Sequence, residues 1–142
     1  MIRRWTFEQF RSANGREAIT DWRRGLSPAR RAALDVFLDR ISKMSAWPTG
    51  ICDPITGHPG CWELRWTSEK VEHRIFGYYG GILRFVMLVG CTHKDGVYNP
   101  PSAFETMDDR KRKIETKEGT LSRYELVTFG GDEEQGIPTR PS

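Results

Sequence analysis

Residues 62–76 read WELRWTSEKVEHRIF. Trp62, Leu64 and Trp66 alternate with Glu63, Arg65 and Thr67. Beyond a polar turn, Val71, His73 and Ile75 alternate with Glu72, Arg74 and Phe76. Alternation of period two marks a strand with one buried face, and two such runs across a short polar turn predict an antiparallel hairpin. The pattern also sets the register, because a slip of one residue would turn Val71 and Ile75 out of the core. With the apolar sets on one face, Arg65 and Arg74 share the other and sit opposite each other. Like charges directly across such a pair are destabilising, so both arginines need compensation. Glu63 and Glu72, on the same face, would supply it as a cross-strand charge network. A bound anion would supply it too, since a guanidinium matches phosphate bidentately and stays charged.

The rest of the chain is organised around this hairpin. Ile2–Phe7 reads as a first strand, rich in aromatic residues. A helix follows over about 15–24, with Asn14 as cap, Glu17 completing a capping box and Gly25 at its end. A second helix opens with Ser27 as cap and Pro28 in its first turn. Leu34, Phe37, Leu38, Ile41 and Met44 form its buried stripe. Residues 46–60, rich in Pro and Gly, read as a loop. After the hairpin strands at 62–67 and 71–79, Gly80-Gly81 offers a two-residue turn into a nearly continuous apolar strand over 82–92. KDGVYNPPS reads as a loop, and a charged helix over 101–117 ends at Gly119. Residues 119–142 read as a largely mobile tail, in which Tyr124, Leu126, Val127 and Phe129 could form an edge strand. The expected fold is α+β: a small antiparallel sheet packed on a helical hairpin, with a C-terminal helix and one sheet face left open. The domain would span 1–118, with 119–142 as an extension.

Charge and cysteine content narrow the partners. The net charge is +3, and because residues 119–142 carry −2, the first 118 residues carry +5. Such a basic body is compatible with nucleic acid. Three cysteines, Cys52, Cys61 and Cys91, do not make a disulfide framework and fit a reducing compartment. No apolar run approaches the ~20 residues of a membrane span, and no signal-peptide block follows the basic N-terminus. The chain reads as cytoplasmic, without a membrane partner.

Functional side chains concentrate in the strand region. His93 can act as acid or base near neutral pH, and Lys94 and the arginines can stabilise charge on a phosphoryl group. Lys94 shares parity with Arg84 along the apolar strand. Tyr78 and Tyr98 are suited to stack on bases. A rival reading takes His58, Cys61, Cys91 and His93 as a Cys₂His₂ zinc set, although neither arm has the usual C-x₂₋₄-C spacing. We expect no metal and no cofactor.

Three segments together resemble one family. CWELR, then EHRIFGYYGGILRFVMLVGCTHK, then PPSAFETMDDRKRKIE are similar to the RelE/HigB toxin superfamily, in particular its phage-derived, HigB-like branch. The resemblance covers about 60–115. It implies a RelE-like two-layer fold and a metal-independent endoribonuclease that cleaves ribosome-bound mRNA and stops translation. It also implies a cognate antitoxin, of the helix-turn-helix kind. Carried over by position, Arg65, Arg74, His93 and Lys94 would form the catalytic group, with Tyr78, Arg84, Tyr98, Lys111 and Arg112 contacting RNA. The alternative is a non-catalytic inhibitor on the same scaffold, phage-derived or ParE-like, that binds a host protein such as gyrase.

Overall fold

The computed structural model describes residues 2–129. Its elements are β1 (Thr6–Arg11), α1 (Ala18–Arg24), α2 (Pro28–Ser42), β2 (Cys52–Pro54), β3 (Trp62–Ser68), β4 (Val71–Gly81), β5 (Arg84–Lys94), β6 (Val97–Asn99), α3 (Ala103–Glu115) and β7 (Thr120–Arg123). The fold is α+β. The strands form one open sheet in the order β2-β3-β4-β5-β1-β7, with β6 also paired to β5. The sheet is mixed rather than antiparallel, because β1 runs parallel to β5. That arrangement follows from the path of the chain, which leaves β1 through two helices and a meander before returning beside it.

The hairpin register is the one the alternation requires. Leu64 faces Ile75, Arg65 faces Arg74 and Trp66 faces His73. The connecting residues Glu69 and Lys70 have φ of 53° and 63°, the positive values both central positions of a type I′ turn require. Between β4 and β5 the expected turn has moved. Gly80 and Gly81 lie within β4, and Ile82 and Leu83 make the turn, with Leu83 at φ 54°.

Two cores lie on opposite faces of the sheet. On one face, Leu64, Ile75, Phe85 and Met87 meet Ile19 of α1 and Leu34, Leu38 and Ile41 of α2. On the other, Phe10, Phe76, Val86 and Leu88 meet Ala103 and Met107 of α3. The expectation of a two-layer fold with an open face is therefore corrected. α3 has few apolar anchors, but Ala103 and Met107 are fully buried against the sheet. Layers on both faces also explain why β5 reads as nearly continuous apolar sequence.

Other boundaries shift for local reasons. The first strand begins at Thr6, not Ile2. α1 begins at Ala18, with Glu17 at its cap position and no side-chain cap of its own. Its free N–H groups are satisfied from β1 instead: Gln9 Oε1 accepts from Ile19 N and Thr20 N, both at 2.9 Å. A buried glutamine three-dimensionally adjacent to a helix start is invisible to local capping rules. The segment 46–60 contributes β2, and KDGVYNPPS contributes β6. The edge strand forms at 120–123, antiparallel to β1, and precedes the residues expected to make it. Tyr124 is buried beyond it, so the sheet continues past residue 118. The remainder of the expected tail, 130–142, lies outside the described residues.

His73 makes a testable mark on this core. It is fully buried, stacks on Trp66 at 5.7 Å between ring centroids, and lies 6.4 Å from Trp22. Its Nδ1 donates to the Val71 carbonyl at 3.0 Å, which leaves Nε2 as an acceptor without a protein partner among the described residues. Burial lowers its pKa below the ordinary 6.5; the hydrogen bond to Val71 and the field of Glu69 act the other way, and Arg30 adds to burial. The unfolded chain takes up a proton near pH 6.5 that the folded chain still refuses. This group's contribution is therefore present above that pH and declines as pH falls below it. Melting temperatures measured from pH 7.5 down to about 5 should fall more steeply for the wild type than for His73→Phe. Parallel profiles would show that His73 is not the titrating group.

Candidate active site

The site is assembled from a row of residues across four strands. Thr67 faces Glu72, Glu72 faces His93, and His93 faces Tyr98. The next row holds Arg65, Arg74 and Cys91. These side chains lie on the α3 face of the sheet.

Arg74 is the hub and is only 8% exposed. Its Nε and Nη2 donate to Glu72 Oε1 at 3.2 and 2.5 Å. Its Nη1 donates to Glu63 Oε1 at 3.0 Å and to the Tyr98 hydroxyl at 2.8 Å. Its Nη2 also lies 3.3 Å from His93 Nδ1. Since arginine only donates, this contact fits the His93 tautomer protonated at Nε2. His93 Nδ1 is 3.9 Å from Glu72 Oε1, and its ring packs against Tyr98 with centroids 4.4 Å apart.

The electrostatics follow from these contacts. The hydrogen bond from Arg74 lowers the Glu72 pKa, so this carboxyl remains a carboxylate across the neutral range. Burial raises the Tyr98 pKa, which keeps the phenol protonated. Cys91 beside Arg74 is pushed up to about 12 by burial, so it remains a thiol and a packing group. The result is a carboxylate, an imidazole and a phenol, each within hydrogen-bonding reach of one guanidinium. Glu72 and His93 are its solvent-facing members, with side chains 45% and 26% exposed.

The sequence-derived group divides here. Arg74, His93 and Tyr98 come together. Arg65 stands opposite Arg74 in register, but its guanidinium turns to Asp53 Oδ2 at 2.6 Å. The two arginines thus avoid each other by taking different carboxylates. Lys94 does not join the cluster, and the parity argument that linked it to Arg84 fails for a definite reason. The β4–β5 register shifts after Phe76, which faces Val89, while Gly77 faces Met87. The extra residue in β5 reverses the parity, so Val86 and Leu88 share a face with Cys91 and His93, not with Lys94.

The residues expected to contact RNA lie apart from the cluster, with the exception of Tyr98. Arg84 pairs with Glu8 at 3.3 Å and also donates to the Gly80 carbonyl. Tyr78 is half-buried, with Lys111 Nζ 5.8 Å from its ring centroid. Lys111 pairs with Glu115 at 3.6 Å, and Arg112 pairs with Asp109 at 2.6 Å. The zinc set does not assemble: His58 bonds Asp108 at 3.0 Å. Among the described residues no three His, Cys, Asp or Glu side chains are grouped to hold a metal ion.

The charge network expected of Glu63 and Glu72 forms on Arg74, and sequence reasoning missed how Tyr98 closes around it. A signal for Tyr98 was present. Asp95-Gly96 joins β5 to β6 with φ of 53° and 77°, a tight hairpin turn that brings Tyr98 back opposite His93. Compared with known protein families, characterised proteins and solved structures, the chain matches none. Among the described residues no helix is long and apolar enough to cross a membrane.

Proposed function

We propose that the protein is a toxin that cleaves ribosome-bound mRNA without a metal and is held in check by a cognate antitoxin. The observation that carries this reading is His93 Nδ1 within 3.3 Å of Arg74 Nη2 and 3.9 Å of Glu72 Oε1. Metal-free RNA cleavage needs a group to take the 2′-hydroxyl proton, a group to protonate the leaving oxygen and a cation for the phosphorane. Glu72 is the exposed carboxylate for the first task. Arg74 supplies the cation. A phosphate that draws Arg74 toward itself releases His93 Nδ1 to take up a proton, and the imidazolium then protonates the leaving 5′ oxygen while Glu72 holds the proton taken from the 2′-hydroxyl. Tyr98 borders the same surface as a stacking platform. The basic body and the resemblance of residues 60–115 to RelE/HigB toxins support the same reading.

Induction in bacteria, with translation and mRNA 5′ ends followed over time, tests it. The wild type should arrest growth and generate new mRNA ends. His93→Ala should lower cleavage about 10²–10⁴-fold, the usual range for a lost acid–base group. A wild type that leaves mRNA intact in the absence of antitoxin would sink the proposal.

One observation favours a second reading. Arg74 is almost fully covered and its N–H groups are engaged within the protein, as in a structural charge network. On that reading the chain is a non-catalytic inhibitor of a host protein such as gyrase. Growth arrest with intact mRNA and inhibited DNA supercoiling would select it.

A further inference from the structure

Arg110 differs from most arginines of this chain. Among the described residues, ten arginines pair with a carboxylate, Arg74 and Arg65 included. Arg110 pairs with none. It is nevertheless half-buried, and burial lowers its pKa. A buried charge without a counter-charge is costly, so its setting calls for explanation.

The sheet topology supplies part of it. β1 covers the edge of β5 as far as Met87, and β6 covers it again from Thr92. In the gap between them, the Leu88 carbonyl accepts from Arg110 Nη1 at 2.7 Å. The guanidinium also lies over the Phe10 ring, 5.4 Å from its centroid. These contacts fix the position of the group and engage one of its five N–H donors. Arg110 also lines a cavity of about 340 Å³, together with Phe10, Ser12, Asn14, Arg16 and Asp21. That volume falls in the lower part of the usual range for small-ligand sites, ~300–1,000 Å³. Asp21, the acidic member, is already bonded to Arg16 at 3.3 Å and Arg24 at 2.7 Å. The Ser12 hydroxyl donates to Asn14 Oδ1 and orders the loop at the mouth of the cavity.

We infer that this cavity is a binding site for a phosphate group, held by Arg110 with Arg16 and the polar loop 12–16. Arg110 is placed in advance by Phe10 and Leu88, so little side-chain freedom is lost on binding. Arg16 is largely exposed and can turn from Asp21 to the ligand. The phosphate comes either from a small phosphorylated molecule or from the backbone of a polynucleotide. The inference stands apart from the cluster at Arg74 and does not depend on catalysis.

The test uses the full chain and two probes, inorganic phosphate and a short 2′-O-methylated RNA, which the proposed cleavage cannot consume. Calorimetric titration with phosphate, at ionic strength matched with chloride, should show one site. Arg110→Gln should abolish it. Because that variant also loses the bond to Leu88, Asn14→Asp serves as the second: it is isosteric, retains an acceptor for Ser12 and adds a like charge beside the ligand. It should melt as the wild type does in chloride and bind phosphate at least fivefold more weakly. RNA that displaces phosphate assigns the site to a polynucleotide backbone. RNA that does not displace it assigns the site to a small phosphorylated ligand. Equal phosphate affinity in wild type and Asn14→Asp, or no phosphate binding by the wild type, would overturn the inference.

Discussion

Arg74→Ala should abolish RNA cleavage and also cost about 3 kcal/mol of folding stability, as expected when one partner of a largely buried ion pair is removed. The cost arises mainly on the carboxylate left behind. Glu63 is 14% exposed at its side chain and takes its salt bridge from Arg74. Without it, a carboxylate remains beside Phe76, Cys91 and Tyr98 with no cation to meet it. Arg74→Lys should recover part of the stability and little of the activity, because one ammonium cannot span Glu63, Glu72, Tyr98 and His93. Loss of activity in Arg74→Ala therefore does not by itself assign a catalytic role.

His93→Ala separates the two roles, since His93 is partly exposed and its removal leaves Arg74 with both glutamates. Catalytic chemistry predicts a His93→Ala protein that melts near the wild type and does not cut RNA. A purely structural network predicts that paired apolar replacement, Arg74→Leu with Glu63→Leu, restores stability without altering any toxicity. Denaturant midpoints of the four variants, set beside their mRNA-cleavage rates, give both answers.

The sequence carried the part of this site that depends on local alternation. Trp62 through Phe76 set the β3–β4 register, and with it the opposition of Arg65 and Arg74. Arg74 takes the two glutamates that the alternation puts on its face, but the sequence did not carry that Arg65 would turn to Asp53 instead. Asp53 lies in a Pro- and Gly-rich segment with no periodicity, and it reaches Arg65 because β2 adds to the sheet edge there. The cap of α1 behaves similarly: Gln9 serves it from a neighbouring strand, while Asn14, the local candidate, bonds Ser12 instead. The helical stripe of α2 was legible from Leu34 to Ile41, since burial of one face leaves a 3.6-residue period in the sequence, while Met44, the last expected member, lies past the helix end and is half-buried. The cover provided by α3 was not. Its burial rests on small and flexible residues, Ala103 and Met107, which stand out little against a run of charges. Parity along β5 misled because one extra residue in a strand leaves no mark in an unbroken apolar run.

That extra residue sets up the other large effect, at Gly77. The irregularity brings β5 backbone so close that a Cβ on Gly77 would lie 1.9 Å from the Val86 carbonyl oxygen and 2.8 Å from the Phe85 ring. The obstacle is main chain in the central strand, so no rotamer change relieves it. Overpacking of this kind costs typically 1–3 kcal/mol and more when backbone must move, against total stabilities of ~5–15 kcal/mol. Gly77→Ala should therefore lose about 3 kcal/mol or more and accumulate poorly as folded protein. Gly90→Ala should be affected less, about 1–3 kcal/mol, because its obstacle is the Trp22 ring at 2.2 Å, a side chain on a short helix that can shift. Gly25→Ala is the control, with an ordinary contact at 3.6 Å and a helical backbone. Chemical denaturation of the three variants orders them. If Gly77→Ala proved as stable as Gly25→Ala, the β4–β5 register would have to continue unbroken past Phe76. Lys94, not His93, would then share a face with Arg84 and Val86 along β5, and the parity that places Cys91 and His93 on one face with Leu88 would fail with it.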